Sequence, residues 1–223
     1  MHQRKSKKIL IYFFLLLILG SINNTSISNF KFEKIQNINI SGLKNINKQN
    51  LIVDLKDLNL DNIFFVKKNK IKGVIDSNSL VHNFEIFKKY PATLDIKIQE
   101  TDFLAKINKN GQTFIIGSNG KLLNNNFSFT ELPYIFGKPD IKVFLKFKKK
   151  LDTSKLSFEK IKYLYFYEAN RWDIEFKNNV ILKLPKDLTV KSLNDIIVFL
   201  NDKKFEKIKI VDARINNQII VND

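Results

Sequence analysis

The sequence predicts an α+β protein in three parts. A single N-terminal transmembrane helix is followed by a small β-α-α-β-β unit and then by a larger, mostly antiparallel β unit with packed helices. Three observations predict it. Ile9 to Leu19 are unbroken apolar residues behind Arg4, Lys5, Lys7 and Lys8. Between residues 30 and 101 the apolar period changes from two to about 3.6 and back to two. Beyond residue 102 short β patterns follow one another closely.

The cations before the apolar run, with none directly after it, put residues 1–8 in the cytoplasm and deliver the remainder across the membrane. Gly20, Ser21 and Ile22 lengthen the run, which still falls short of the ~20 residues that span a bilayer comfortably. Leu19-Gly20-Ser21 is not an A-x-A cleavage site, so residues 9–28 read as an uncleaved anchor and linker. Asn23–Asn29 is the polar part of that linker.

In the unit at 30–101, Ile38 and Ile40 alternate with Asn37 and Asn39 in a strand that stops at Ser41-Gly42. Leu51, Ile52, Leu55 and Leu58 have helical spacing, with Asn47 as the expected N-cap. Ile71, Val74 and Ile75 mark a shorter helix ending near Asp76-Ser77-Asn78. Leu80–Phe87 is a strand and Lys88-Lys89-Tyr90-Pro91 its turn. From Thr93 the alternation is clean. Leu94, Ile96 and Ile98 face inward, and Asp95, Lys97 and Gln99 face outward.

In the unit at 102–223, strands are expected at Phe103–Asn108, Thr113–Ile116, Ile161–Tyr167, Arg171–Phe176 and Val180–Leu184. Ser118-Asn119-Gly120 and Asn178-Asn179 read as turns. Asp140–Leu151 is a basic helix. Thr189 caps another, whose apolar stripe is Leu193, Ile196, Ile197 and Leu200. Lys207–Asp212 and Gln218–Val221 are the last β segments, around Asn216-Asn217. No proline- or glycine-rich linker separates the two units, so they are expected to abut.

Composition excludes several functions. Without cysteine there is no disulfide framework, thiolate nucleophile or sulfur metal site. The net charge of +16 suggests nucleic acid, yet only three of the 38 basic residues are arginine, the residue that reads phosphate and base edges bidentately. Basic runs such as Lys146–Lys150 read as solvated helix faces, with attraction to anionic lipid head groups a minor role. His2 lies in the tail and His82 in a strand, with no second ligand nearby. Asp173 and Glu175 share a strand face, the arrangement that could serve acid/base glycan chemistry; amid lysines they read as ion-pair partners. A non-enzyme is expected, without cofactor, metal, small-molecule substrate or nucleic-acid partner.

The chain does offer open sheet edges, whose unpaired N–H and C=O groups can accept a partner strand. Arg171 and Arg214 stand out where lysine is otherwise used. Each reads either as a structural ion pair with Asp173 or Asp212, or as a guanidinium fork for an acidic partner. Trp172 reads as core or as a lid over it. The edge is expected over Lys207–Val221.

These residues resemble the bacterial cell-division protein family FtsQ (DivIB), whose members are bitopic inner-membrane proteins with a POTRA domain. The resemblance runs through the basic tail and apolar run, Ile38-Asn39-Ile40-Ser41-Gly42, Asn62-Ile63-Phe64 and Pro91-x-Thr93-Leu94-x-Ile96-x-Ile98-x-Glu100. It continues with Ala105, Gly120, Leu132-Pro133, Gly137, Arg171-Trp172-Asp173, Leu184-Pro185 and Asp212-x-Arg214. The chain departs from the family at Ser79 and Phe103, where members usually have proline, and at Ile215, where an aromatic is common. The resemblance implies a single-pass, type II scaffold of the divisome in the cell inner membrane, held by Ile9–Ile22 and acting at the septum. It also implies recruitment of the FtsB–FtsL coiled-coil pair through the C-terminal edge, linking early division proteins to septal peptidoglycan synthesis. Arg171, Trp172, Asp212, Arg214, Ile215, Ile219 and Val221 are the expected partner-binding residues. A POTRA adaptor of outer-membrane protein assembly or secretion is the alternative, and would bring repeated POTRA units or a membrane barrel.

Overall fold

The computed structural model describes residues 3–22, 33–124, 131–200, 208–215 and 218–222. The expected linker Asn23–Asn29, the turn Asn216-Asn217 and Lys207 lie outside them. Helix α1 is Gln3–Ile22. Its side chains from Ile9 to Leu19 are all exposed. Only Ile9–Ile22 of it is free of charge, and no helix among the described residues is long and apolar enough to cross a membrane. The spanning helix expected from the sequence is therefore not shown.

The first unit contains β1 (Asn37–Ser41), α2 (Asn45–Lys56), α3 (Lys68–Ser77), β2 (Val81–Lys89) and β3 (Thr93–Glu100). The sheet order is β1-β3-β2, with β1 parallel and β2 antiparallel to β3. Leu94, Ile96 and Ile98 are buried against Leu51, Leu55, Ile71 and Ile75 of the two helices. Period-two strands and period-3.6 helices thus meet on the faces their spacing implies. One detail differs. The N-cap of α2 is Lys44, without a side-chain cap, so Asn47 lies inside the first turn. Replacing Ile96, which is 1 % exposed, by Ala should cost about 2–5 kcal/mol. Lys97→Ala, on the outer face, should cost less than about 0.5 kcal/mol. Chemical denaturation of the two variants decides the register: equal midpoints would reverse it.

Among the described residues the second unit is one mixed sheet with two α-helices on one face. Its strands are β4 (Phe103–Lys109), β5 (Gln112–Gly117), β6 (Leu122–Asn124), β7 (Tyr134–Phe136), β8 (Ile161–Tyr167), β9 (Arg171–Phe176), β10 (Ile181–Lys183), β11 (Ile210–Asp212) and β12 (Ile220–Asn222). Their order is β12-β11-β10-β9-β8-β7-β4-β5-β6. Pairs β4/β7, β7/β8 and β10/β11 are parallel and the other five antiparallel, so the sheet is less uniformly antiparallel than expected. Helices α4 (Ile141–Asp152) and α5 (Val190–Leu200) bury Phe144, Phe147 and Leu151, and Leu193, Ile196 and Ile197, over Leu164, Ile174, Leu182 and Val211. Both helices are capped by short polar side chains. Asp140 accepts the Lys142 N–H at 2.7 Å and Thr189 accepts that of Ser192 at 3.1 Å.

Only Thr101 and Asp102 separate β3 from β4, and the turn after β5 ties the units together. The Asn119 amide donates to the carbonyls of Ser79 (2.8 Å) and Val81 (2.9 Å) and accepts the Lys121 N–H (3.0 Å). Lys121 Nζ donates to the Asn78 carbonyl at 3.0 Å. Leu80, Ile115 and Leu123 form a buried apolar seam beside them. The residues that read as a simple hairpin turn therefore also clasp the small unit.

Candidate partner-binding edge

Strand β12 ends the large sheet. Among the described residues it pairs with β11 alone, Asp212 opposite Ile220 and Val211 opposite Val221. All three β12 residues are exposed. β11 is not an edge, because it lies between β10 and β12. The expected edge over Lys207–Val221 thus contracts to β12, whose return pairing covers β11.

Register decides which side chains gather beside this edge. Asp173 lies opposite Lys183, Lys183 opposite Asp212, and Asp212 opposite Ile220. Directly opposed residues share a face, so alternating charges lead across the helix-free face to an apolar edge residue. Arg171 is on this face too, two residues before Asp173. Trp172 must point the other way. It is 6 % exposed and stacks on Phe147 of α4 with ring centroids 4.7 Å apart and planes 3° from parallel. Phe166 packs on it at 4.8 Å. Trp172 therefore packs in the core, one of the two places its sequence reading allowed, with little of its surface left at the face.

Both arginines have acidic neighbours within the chain. Arg214 Nε lies 2.8 and 2.9 Å from the two Asp212 carboxylate oxygens, and its Nη2 lies 2.5 Å from one of them. Its backbone N–H donates to the same carboxylate at 3.1 Å. Hydrogen bonds from Arg214 hold the Asp212 carboxyl below the usual carboxylate range, and Asp212 pushes the Arg214 guanidinium up. Arg171 Nε is 3.4 Å from Asp173 Oδ1, its guanidinium over the Tyr167 ring at 4.4 Å. Those two atoms are buried and lack a well-formed hydrogen bond. Burial raises the Asp173 pKa, with the Arg171 charge opposing it. Glu175, the other half of the suspected acid pair, accepts from the Tyr165 hydroxyl at 2.7 Å and lies 3.7 Å from Lys162 Nζ.

The remaining expected residues lie on the helix side. Ile215 is exposed, while Ile219 packs against the core. Both line a groove of about 530 Å³ with Ala213, Ser192, Asp195 and Ile196. Val221, opposite Val211, faces the same side. The structure thus brings Asp212 and Arg214 into contact and sets Arg171 on the same face. Ile215, Ile219 and Val221 stand around the other side of the edge. Lys183 and Ile220 were missed. Only strand register, which a single strand does not encode, brings them in.

The depressed Asp212 pKa has a signed consequence. A carboxyl with a lowered folded-state pKa adds stability that is present above its unfolded pKa of about 3.9. That contribution disappears as pH falls through the folded value. Asp212→Asn should therefore lower Tm at neutral pH, and the gap from the parent should close below about pH 3.9. Thermal melts at the two pH values check this; a gap that widens in acid would reverse the assignment.

A small β-α-α-β-β unit clasped to a larger mixed sheet defines a two-unit α+β protein. Residues 33–101 match the family model for the POTRA domain, FtsQ-type, and residues 99–214 that for the cell division protein FtsQ/DivIB, C-terminal. The chain belongs to the FtsQ/DivIB family of cell division proteins. It is 37 % identical over 89 residues to cell division protein DivIB of Clostridium acetobutylicum, covering 40 % of this chain and 36 % of that one. It is 31 % identical over 132 residues to the DivIB of Bacillus subtilis, covering 55 % and 48 %. Cell division protein FtsQ of Rickettsia felis is 22 % identical over 191 residues, covering 84 % and 72 %. The matches to the two DivIB relatives span about a third to a half of their lengths.

Proposed function

We propose that the chain is a membrane-tethered scaffold of the division machinery, binding partners rather than transforming a substrate. Its POTRA domain occupies 30–101 and its partner-binding domain 102–223. It recruits the FtsB–FtsL coiled-coil pair and links early division proteins to septal peptidoglycan synthesis. The observation that carries this reading is β12, which among the described residues is paired on one side only and exposed along its length. A partner strand added there would gain main-chain hydrogen bonds, with Arg171, Arg214, Ile215, Ile219 and Val221 supplying specificity. Arg214 keeps donors beyond those held by Asp212, so a partner carboxylate can join the pair. In this reading α1 is the anchor, its cytoplasmic end at Arg4–Lys8. Its uncharged stretch is about 21 Å long, and lysine stems reaching to the head groups make up part of the shortfall.

Val221→Pro should abolish capture of FtsB–FtsL, because proline removes a donor and disfavours the ladder. Val221→Ala should leave capture nearly intact. Arg214→Ala should weaken it by about 1.5–3 kcal/mol, the range for a charge-assisted bond, and Arg214→Lys should recover part of this. The experiment is a pull-down with the full chain in detergent, with circular dichroism of each variant. A folded Val221→Pro chain that captures the pair undiminished would move the site off the edge.

A further inference from the structure

The far end of the three-stranded unit carries aromatic rings that the partner edge does not use. β2 and β3 run between the clasp at Val81 and Glu100 and a tip at Lys89 and Thr93. β1 enters at that tip, since Asn37 pairs with Thr93 and the Gln36 N–H donates to the Ala92 carbonyl at 3.0 Å. The chain therefore arrives from α1 at the end opposite the large sheet. There Phe64, Phe65 and Tyr90 are 50 %, 68 % and 62 % exposed. The Phe64 and Tyr90 rings lie 4.9 Å apart.

This exposure is built in. Ile63 is fully buried and anchors the loop. The Asn62 side-chain Oδ1 accepts the N–H groups of Phe64 (3.1 Å) and Phe65 (3.2 Å), fixing the turn that holds both rings outward. Lys34 bridges to Asn62, and Lys88 Nζ lies 3.5 Å from the Phe64 carbonyl. Lys67 and Lys68 follow Phe65 with only Val66 between, and Lys89 precedes Tyr90. Acidic residues at this end include Glu33, Asp61 and Asp95, the last paired with Lys89, and Asp57 closes α2 close by.

We propose that this tip docks on the surface of an anionic phospholipid bilayer, its rings at head-group depth and its lysines on lipid phosphates. Aromatic rings flanked by cations suit that interface. Residues 23–34 give the tip a reach of about 40 Å at most from α1, so it works beside whatever bilayer holds that helix. Docking would set the small unit upright and hold the β12 edge away from the lipid. The orientation, though not the lipid contact, rests on the proposed anchoring of α1.

The chain has no cysteine, so single reporters can be introduced. The full chain carrying a fluorophore at Lys68→Cys, Val198→Cys or Leu16→Cys is reconstituted in vesicles rich in phosphatidylglycerol that contain a lipid-borne quencher. Position 68 should be quenched several-fold more than position 198. The difference should vanish in pure phosphatidylcholine, and also when Phe64, Phe65 and Tyr90 are changed together to Ser. Equal quenching at 68 and 198, or quenching indifferent to lipid charge, overturns the proposal even should the triple variant misfold. Position 16 reads the anchor separately. Quenching there without quenching at 68 keeps the anchor and rejects the docking, and the reverse pattern keeps the docking and rejects the anchor.

Discussion

Gly42→Ala should prevent the three-stranded unit from forming stably. Gly42 follows β1 at φ +91°, and an added Cβ would lie 1.8 Å from the Ile98 carbonyl oxygen. That oxygen belongs to β3, which is held between β1 and β2, so it cannot withdraw without breaking a ladder. A non-glycine residue in a sparsely populated backbone region costs about 1–3 kcal/mol before any clash. The collision adds to this, against a typical domain stability of only about 5–15 kcal/mol. Gly73→Ala is the control. Gly73 lies within α3 with nothing within 4 Å of its added Cβ, so alanine there should stabilise by about 0.5–1 kcal/mol. Thermal melts should shift in opposite directions. A Gly42→Ala chain melting with the parent would mean that β1 does not approach β3 as described.

Trp172→Ala should cost about 3–5 kcal/mol, the usual range for emptying an aromatic site in a core. The cavity would open between Phe147 of α4 and Phe166 of β8 and so loosen the helix from the sheet. Guanidinium denaturation followed by circular dichroism measures it. Trp172→Phe, which retains a ring, should fold and, under the proposed function, leave capture of FtsB–FtsL unchanged. A folded Trp172→Phe chain that loses the partner would return this residue to the binding surface.

Trp172 also shows where sequence reading stops. Arg171-Trp172-Asp173 looks like one motif, yet strand alternation sends the ring into the core and the charges onto the open face. Alternation was legible; which face meets the helices was not, because β9 carries buried residues on both faces, Asp173 among them. In β3 the pattern was unambiguous, and Leu94, Ile96 and Ile98 are buried as read. The strands β6 and β7, three residues each, were too short to show a period. Asn119 read correctly as a turn residue, while its bonds to Ser79 and Val81 span about forty positions and leave no local mark.

By itself the sequence determined the β-α-α-β-β order, the two helices of the large unit with Thr189 as the cap of the second, the family, and Arg214 with Asp212 as residues of interest. These follow from periodicity, short polar caps and motif order, all properties of neighbouring residues. Only the tertiary structure decided that β12 is the edge and β11 is not, that β4, β7 and β8 run parallel, and that Lys183 and Ile220 join the charged face. It also decided that three aromatic rings stand at the far tip. The physical reason is that strand pairing and register are set by contacts between distant segments. A one-residue slip would exchange the two faces of a strand without altering its local pattern.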